Sequence, residues 1–218
     1  MKSITKDEIE ALDIVLEDVN LTIKNTFSNF LDTSIINIYS LAPIYIGLYF
    51  KSLNHDNKNP NWKNRDFVFS TNNYAKITEN IVRVHNGYYD FEKLEEYLEK
   101  NTFLTSENTF GDAIGHYVVD RESDNNHERY YYIIVSDIDL LNNITALEYI
   151  QKNNMRRIII IVYTREDKIN INKENKLNGK LINMGFDTLI ISRKVENVCD
   201  AIIYAKRLEK PTIILAST

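Results

Sequence analysis

Two unbroken apolar runs, Tyr130–Val135 and Ile158–Val162, limit most strongly what this chain can fold into. Each is short and rich in β-branched and aromatic residues. Neither alternates with polar residues, as a half-exposed strand does, so each reads as a strand buried on both faces. Between them Leu140, Ile144, Leu147 and Ile150 recur at helical spacing. The stretch is therefore a β-α-β unit whose first strand runs out into Ser136-Asp137-Ile138. In open parallel sheets the ligand crevice lies outside the carboxyl ends of the strands. Asp137 stands where a phosphate-bound metal would be held.

The same alternation continues downstream. Lys168–Lys176 reads as a polar loop and Leu177–Met184 as a helix stopped by Gly185. Phe186–Ile191 is a strand, Val195–Leu208 a helix and Pro211–Ala216 a last strand. Upstream, the spacing predicts a helix over Thr5–Phe27. Thr5 and Glu8 match a capping box, and Ile9, Leu12, Val15, Val19 and Leu21 form the apolar stripe. A second helix, capped by Thr33 or Ser34 and reaching about Leu53, is apolar nearly all round and should be deeply buried. Asn54–Asp66 is a polar loop and Phe67–Phe69 a short strand. Asn72–His85 is helical up to the stop signal Asn86-Gly87, and Phe91–Lys100 is a further helix. Asn101–Asn108 reads as a connection, Thr109–Val119 as a short helix and Asp120–Glu128 as a charged, flexible insert. The predicted fold is α/β: a doubly wound, mostly parallel sheet with helices on both faces. No repeat or low-complexity linker divides it, so residues 1–218 are expected to form one domain.

Charge and cysteine usage exclude several functions. A net charge of −5 with scattered Lys and Arg gives no basic face for nucleic acid. The single cysteine, Cys199, rules out an internal disulfide framework and suits a reducing compartment. No apolar run is long enough to span a bilayer, and the N-terminus lacks the apolar core of a signal peptide. A cytoplasmic location without membrane contact is expected. Glycine is scarce, with six in the chain, although phosphate-cradling loops need it where backbone approaches ligand.

Isolated reactive residues read as structural. His116, four residues after Asp112, suggests a surface ion pair more than an acid–base pair. His85 lies at a helix end, where positive charge meets the dipole favourably. His55 falls in the polar loop and His127 in the insert, and the histidines lack metal-ligand spacing. Cys199 sits among Val198, Ala201 and Ile202 and reads as a buried thiol. Tyr130–Tyr132 is strand material, and the acidic run from Glu92 to Glu99 is a solvated helix face.

Several separated segments together resemble one family. They are Leu48-Tyr49-Phe50 with Asn54–Ser70, Gly87-Tyr88, Tyr130–Asp139, and Lys210–Thr218. Their order and spacing resemble the N-terminal, diphosphate-binding domain of transketolases, enzymes that use thiamine diphosphate and Mg²⁺. The resemblance covers almost the whole chain. It implies the thiamine-diphosphate-binding fold, with Gly111 and Asp137 as the residues matching cofactor-binding positions and Asp137 as metal ligand.

The family's functional motifs are altered. Its early Gly-His-x-Gly corresponds to Thr33-Ser34-Ile35-Ile36, and its Ser-Lys-Gly-His to Ser70-Thr71-Asn72-Asn73. A Gly-His-Pro segment is missing around Phe103–Asn108. Leu-Gly-Gln-Gly becomes Phe110-Gly111-Asp112-Ala113, and Gly-Asp-Gly becomes Ser136-Asp137-Ile138. The second metal-ligand position, an Asn in the family, aligns with Arg165, a cation that cannot ligate Mg²⁺. Asp137 is then expected to pair with a cation or to cap the following helix. In the family the activating glutamate belongs to a separate pyrimidine-binding domain, so this polypeptide is not expected to catalyse ketol transfer by itself.

The expectation is a degenerate, non-catalytic chain without catalytic residues or bound cofactor. It would act by association, as a homodimer or with a separate pyrimidine-domain chain. The alternative is the N-terminal subunit of a split transketolase that binds thiamine diphosphate and Mg²⁺.

Overall fold

The computed structural model describes residues 3–28, 33–103, 110–123, 128–164 and 171–217. Five strands form one sheet: β1 (Phe67–Ser70), β2 (Tyr131–Ser136), β3 (Ile158–Tyr163), β4 (Asp187–Ser192) and β5 (Thr212–Ser217). Their spatial order is β1-β2-β3-β5-β4 and every pairing is parallel. Ile133 lies beside Ile160, and Ile160 beside Ile213, so the isoleucine-rich runs pair with one another. Every residue of β2 and β3 is buried, as their unbroken apolar runs require.

Alternate residues of each strand feed opposite cores. Tyr132, Ile134, Ile159, Ile161 and Ile214 face one layer of helices. It consists of α1 (Lys6–Thr26), α2 (Thr33–Ile46), α3 (Asn73–His85), α4 (Leu94–Phe103) and α9 (Val195–Leu208). Tyr131, Ile133, Ile158, Ile160 and Ile213 face the other layer. That layer holds α5 (Phe110–Ser123), α6 (Asp137–Asn142), α7 (Ile144–Lys152) and α8 (Ile171–Asn183). The doubly wound reading is thus realised. Among the described residues no helix is long and apolar enough to cross a membrane.

The differences from expectation fall mainly at helix ends, where local signals compete with packing. The capping box of α1 forms: Glu8 N donates to Thr5 Oγ1 at 3.4 Å, and Thr5 N to Glu8 Oε2 at 2.8 Å. Lys51 also bonds Glu8, and with Thr5 it holds that carboxyl down at about 2. Leu21, assigned to the apolar stripe, is instead 56% exposed; Thr22 and Ile23 turn inward because the helix advances 100° per residue. The single helix expected between β2 and β3 is two, α6 and α7, meeting at Asn143. Asn143 Nδ2 donates to the Asp139 carbonyl at 2.8 Å. Helix α4 continues to Phe103, three residues into the expected connection. Helix α5 runs to Ser123 through the first part of the expected flexible insert, and α8 begins at Ile171 within the expected loop. In both cases an apolar face, Tyr117 in one and Leu177 with Leu181 in the other, packs on the sheet and carries polar neighbours into helix.

Helix α2 contains Pro43 and passes into a π-helical turn, Gly47–Ser52, that leads into the polar loop. At the amino end of the sheet that loop is pinned by buried charge. Asp66 accepts from Tyr130 N at 2.8 Å and from Asn54 N at 3.0 Å. Lys206 of α9 lies 3.7 Å from the same carboxylate and donates to the Ser52 carbonyl at 2.6 Å. Strand β1 is thereby fixed beside β2, and its far end is delivered to the carboxyl edge.

Candidate functional site

Parallel strands bring their carboxyl ends to one edge, and the segments that follow them meet there. Past β1, Thr71 donates to the Ile134 carbonyl of β2 twice, from its backbone N and its Oγ1, each at 3.1 Å. Asn72 caps α3 by accepting from Ala75 N at 3.1 Å. Its amide nitrogen donates to the Tyr163 hydroxyl at the end of β3. Since β2 lies between β1 and β3, this bond spans the mouth of β2. Tyr163 is fully buried.

A buried hydrogen-bonded chain lies behind this bridge. Ser70 Oγ donates to Glu79 Oε2 at 2.6 Å, which leaves it to accept from the Tyr45 hydroxyl, also at 2.6 Å. Tyr49 donates to Glu79 Oε1 at 2.5 Å. Burial, reinforced by Glu79, pushes both phenols well above their ordinary range, so they remain proton donors at any physiological pH. The Arg83 guanidinium lies 4.8 Å from the ring centres of both Tyr88 and Tyr89. Burial opposes its charge, but Tyr49, Glu79, Tyr89 and Tyr88 together outweigh that and hold it above its usual range. His55 completes the cluster: its Nδ1 meets the Tyr88 hydroxyl at 2.8 Å and its Nε2 the Tyr49 carbonyl at 2.7 Å.

None of Tyr45, Tyr49, Glu79 or Arg83 stands out in the sequence as a site residue. The available signal was their spacing. Tyr45 and Tyr49 are one helical turn apart, as are Glu79 and Arg83. Polar atoms recurring on otherwise buried helix faces must find one another.

Asp137 reaches the strand ends as expected, as the first residue of α6. The expectation that it caps this helix is corrected: Ser136 is the cap, its Oγ accepting from Asp139 N at 3.1 Å and donating to Asp139 Oδ2 at 2.7 Å. Asp137 Oδ1 is buried without a hydrogen-bond partner. Ile138 beside it is 53% exposed. Gly111 lies exposed in the first turn of α5. Arg165, the aligned second metal position, lies outside the described residues, as does the Phe103–Asn108 deletion apart from Phe103 itself. Among the described residues no group of three or more His, Cys, Asp or Glu side chains is arranged to hold a metal ion.

The remaining candidates are structural. His116 lies against the rings of Phe67 at 5.4 Å and Phe69 at 5.6 Å. His85 differs from expectation, because burial lowers its pKa and its Nε2 bonds Thr22 Oγ1 at 2.9 Å, tying α3 to α1. Packing has overridden the attraction of a helix end for positive charge. Cys199 is fully buried, and burial pushes its thiol up to about 12.

The architecture defines a class: an open parallel α/β sheet, in which the ligand crevice lies at the carboxyl edge. No family model matches the chain. Among curated proteins it is similar to the transketolase of Mycoplasma genitalium, 25% identical over 209 residues that span 81% of this chain and 32% of that one. Among solved structures it is similar to the transketolase of Leishmania mexicana, with a TM-score of 0.74, 15% identity, and coverage of 93% of this chain and 36% of that one. The transketolase of Campylobacter jejuni gives 0.62, 17%, 92% and 38%. The fold is that of the matched part of these enzymes, and the matches support a transketolase-family relationship. The chain spans about a third of the length of the transketolases it matches.

Proposed function

We propose that this chain is a single-domain, degenerate relative of the transketolase diphosphate domain that has lost thiamine diphosphate and Mg²⁺ binding and acts by association. The observation that carries this reading is the side-chain bridge from Asn72 to Tyr163 across the mouth of β2. Ser70, Thr71 and Asn72 occupy the segment aligned with the family's Ser-Lys-Gly-His, and all three are engaged with other protein groups. A diphosphate needs free donors, and Mg²⁺ needs a near-octahedral set of oxygens. The described side chains do not fit these requirements: Ser136 and Asp139 bond each other, which leaves Asp137 to act alone.

One observation favours the second reading, a subunit of a split, thiamine-diphosphate-dependent transketolase active only with a pyrimidine-domain partner. Asp137 Oδ1 is buried without a hydrogen bond, a condition that costs a carboxylate free energy and that a bound cation would relieve. Calorimetric titration of thiamine diphosphate with Mg²⁺ separates the two. Into the chain alone, or mixed with a pyrimidine-domain chain, the first reading expects no saturable heat. Saturable binding that Asp137→Ala abolishes would overturn it and establish the second.

A further inference from the structure

The two edges of the sheet are built differently. Strand β1 is four residues long, and the Phe67 ring on it is flanked by Arg65 at 5.2 Å and Arg129 at 5.5 Å. Short length and nearby charge are the usual guards of a sheet edge. Strand β4 has six residues, Asp187-Thr-Leu-Ile-Ile-Ser192, with neither Pro nor Lys. It pairs with β5 on one side, and among the described residues no strand pairs with its other side. Its centre is apolar, with Ile190 47% exposed. A groove of about 370 Å³ runs between this edge and α9, lined by Leu189, Ile190, Ile191, Asp200, Ala201 and Tyr204 among others. Tyr204 is 49% exposed. The groove is polar at Ser192, Asn197 and Asp200 and apolar elsewhere, and an edge strand with an apolar centre beside it is a template for pairing with another strand.

The charge pattern selects the occupant. Asp187 opens the strand and the exposed Lys194 lies just past its end, whereas Arg193 before it is buried. A two-fold axis normal to the sheet and close to Ile190 would set two β4 strands antiparallel. It would bring Asp187 of each copy towards the exposed Lys194 of the other, with the Leu189–Ile191 segments meeting at the centre. Both α9 helices would lie on the same face, each Tyr204 beside its counterpart helix. Asp187 at present is 3.3 Å from Lys210 in an exposed pair, which holds it only weakly. We infer that β4 is a self-pairing edge, joining two copies of this chain through a continuous ten-stranded sheet. This deepens the association reading by naming its partner as a second copy. The test reads dimerisation, not cofactor binding, so the two proposals fail separately.

Sedimentation velocity of the full chain over a wide concentration range should give a dimer with a finite dissociation constant. Ile190→Lys should be monomeric with unchanged far-ultraviolet circular dichroism, and Ile190→Thr, a milder strand-compatible change, should weaken the dimer. Asp187→Lys should weaken it at least about tenfold by opposing like charges, and adding Lys194→Asp should restore it. The inference is overturned by a chain monomeric at every concentration, by open-ended polymers, or by a dimer that persists in folded Ile190→Lys. Failure of the charge exchange to restore association would also overturn it.

Discussion

Lys206 and Asp66 place opposite charges where water hardly reaches: their side chains are 10% and 1% exposed. Burial raises the pKa of the carboxyl and lowers that of the ammonium, so for each group desolvation outweighs their mutual attraction. Such a pair stabilises little as a unit but is costly to break. Lys206→Met is expected to lose about 3 kcal/mol in urea unfolding, whereas Lys206→Met with Asp66→Asn should recover most of it. His85 gives a pH signature. Its folded pKa lies below the ordinary 6.5 because burial outweighs the pull of Asp18, so the native state binds fewer protons than the unfolded chain. Its contribution is present above 6.5 and is lost as pH falls through the lowered folded value. Stability should therefore decline as pH falls from 6.5 towards that lowered value and level off below it. An NMR titration of His85 should give a midpoint under 6.5, and His85→Gln should flatten that part of the profile. At this scale the sequence was partly legible. Asp137 and the burial of Cys199 could be read from strand ends and helix spacing, but the partners of Ser70 and Glu79 could not. The Tyr45–Ser70 contact joins residues 25 apart, and the Asn72–Tyr163 contact joins residues 91 apart.

Secondary-structure elements were more legible than contacts, because hydrophobic period is a local property. The runs that became β2 and β3 were plain, and the Thr5–Glu8 box marked the start of α1. The errors at α5 and α8 share one cause: polar sequence continues as helix when one face of it reaches the sheet. The contact between the π-helical turn Gly47–Ser52 and α9 permits a test. A Cβ on Gly47 would stand 3.0 Å from Val198 Cγ1 and 3.4 Å from Cys199 Sγ. Alanine's helix preference returns up to about 1 kcal/mol, whereas overpacking a filled core costs about 1–3 kcal/mol. Gly47→Ala should be net destabilising by about 1 kcal/mol in urea unfolding, and Val198→Ala in the same chain should reduce that loss.

The molecule as a whole is a parallel sheet enclosed by two helical layers, and its carboxyl edge and its β4 edge carry separate hypotheses. The first concerns chemistry that the bridged strand ends argue against, and the calorimetric titration decides it. The second concerns association, and sedimentation decides it. If both hold, the chain is a transketolase-type fold used for its surface. By itself the sequence determined the α/β class, the strand order along the chain, the resemblance to transketolases and the place of Asp137. Periodicity and motif order are written in neighbouring residues and need no knowledge of the distant chain. Tertiary structure alone decided that β4 stands at an edge while β5 lies inside. It also decided that Asn72 and Tyr163 close over β2, and that Ser136, not Asp137, caps α6. Each of those outcomes depends on which elements become neighbours, a choice made by the simultaneous burial of two apolar faces that no local segment can encode.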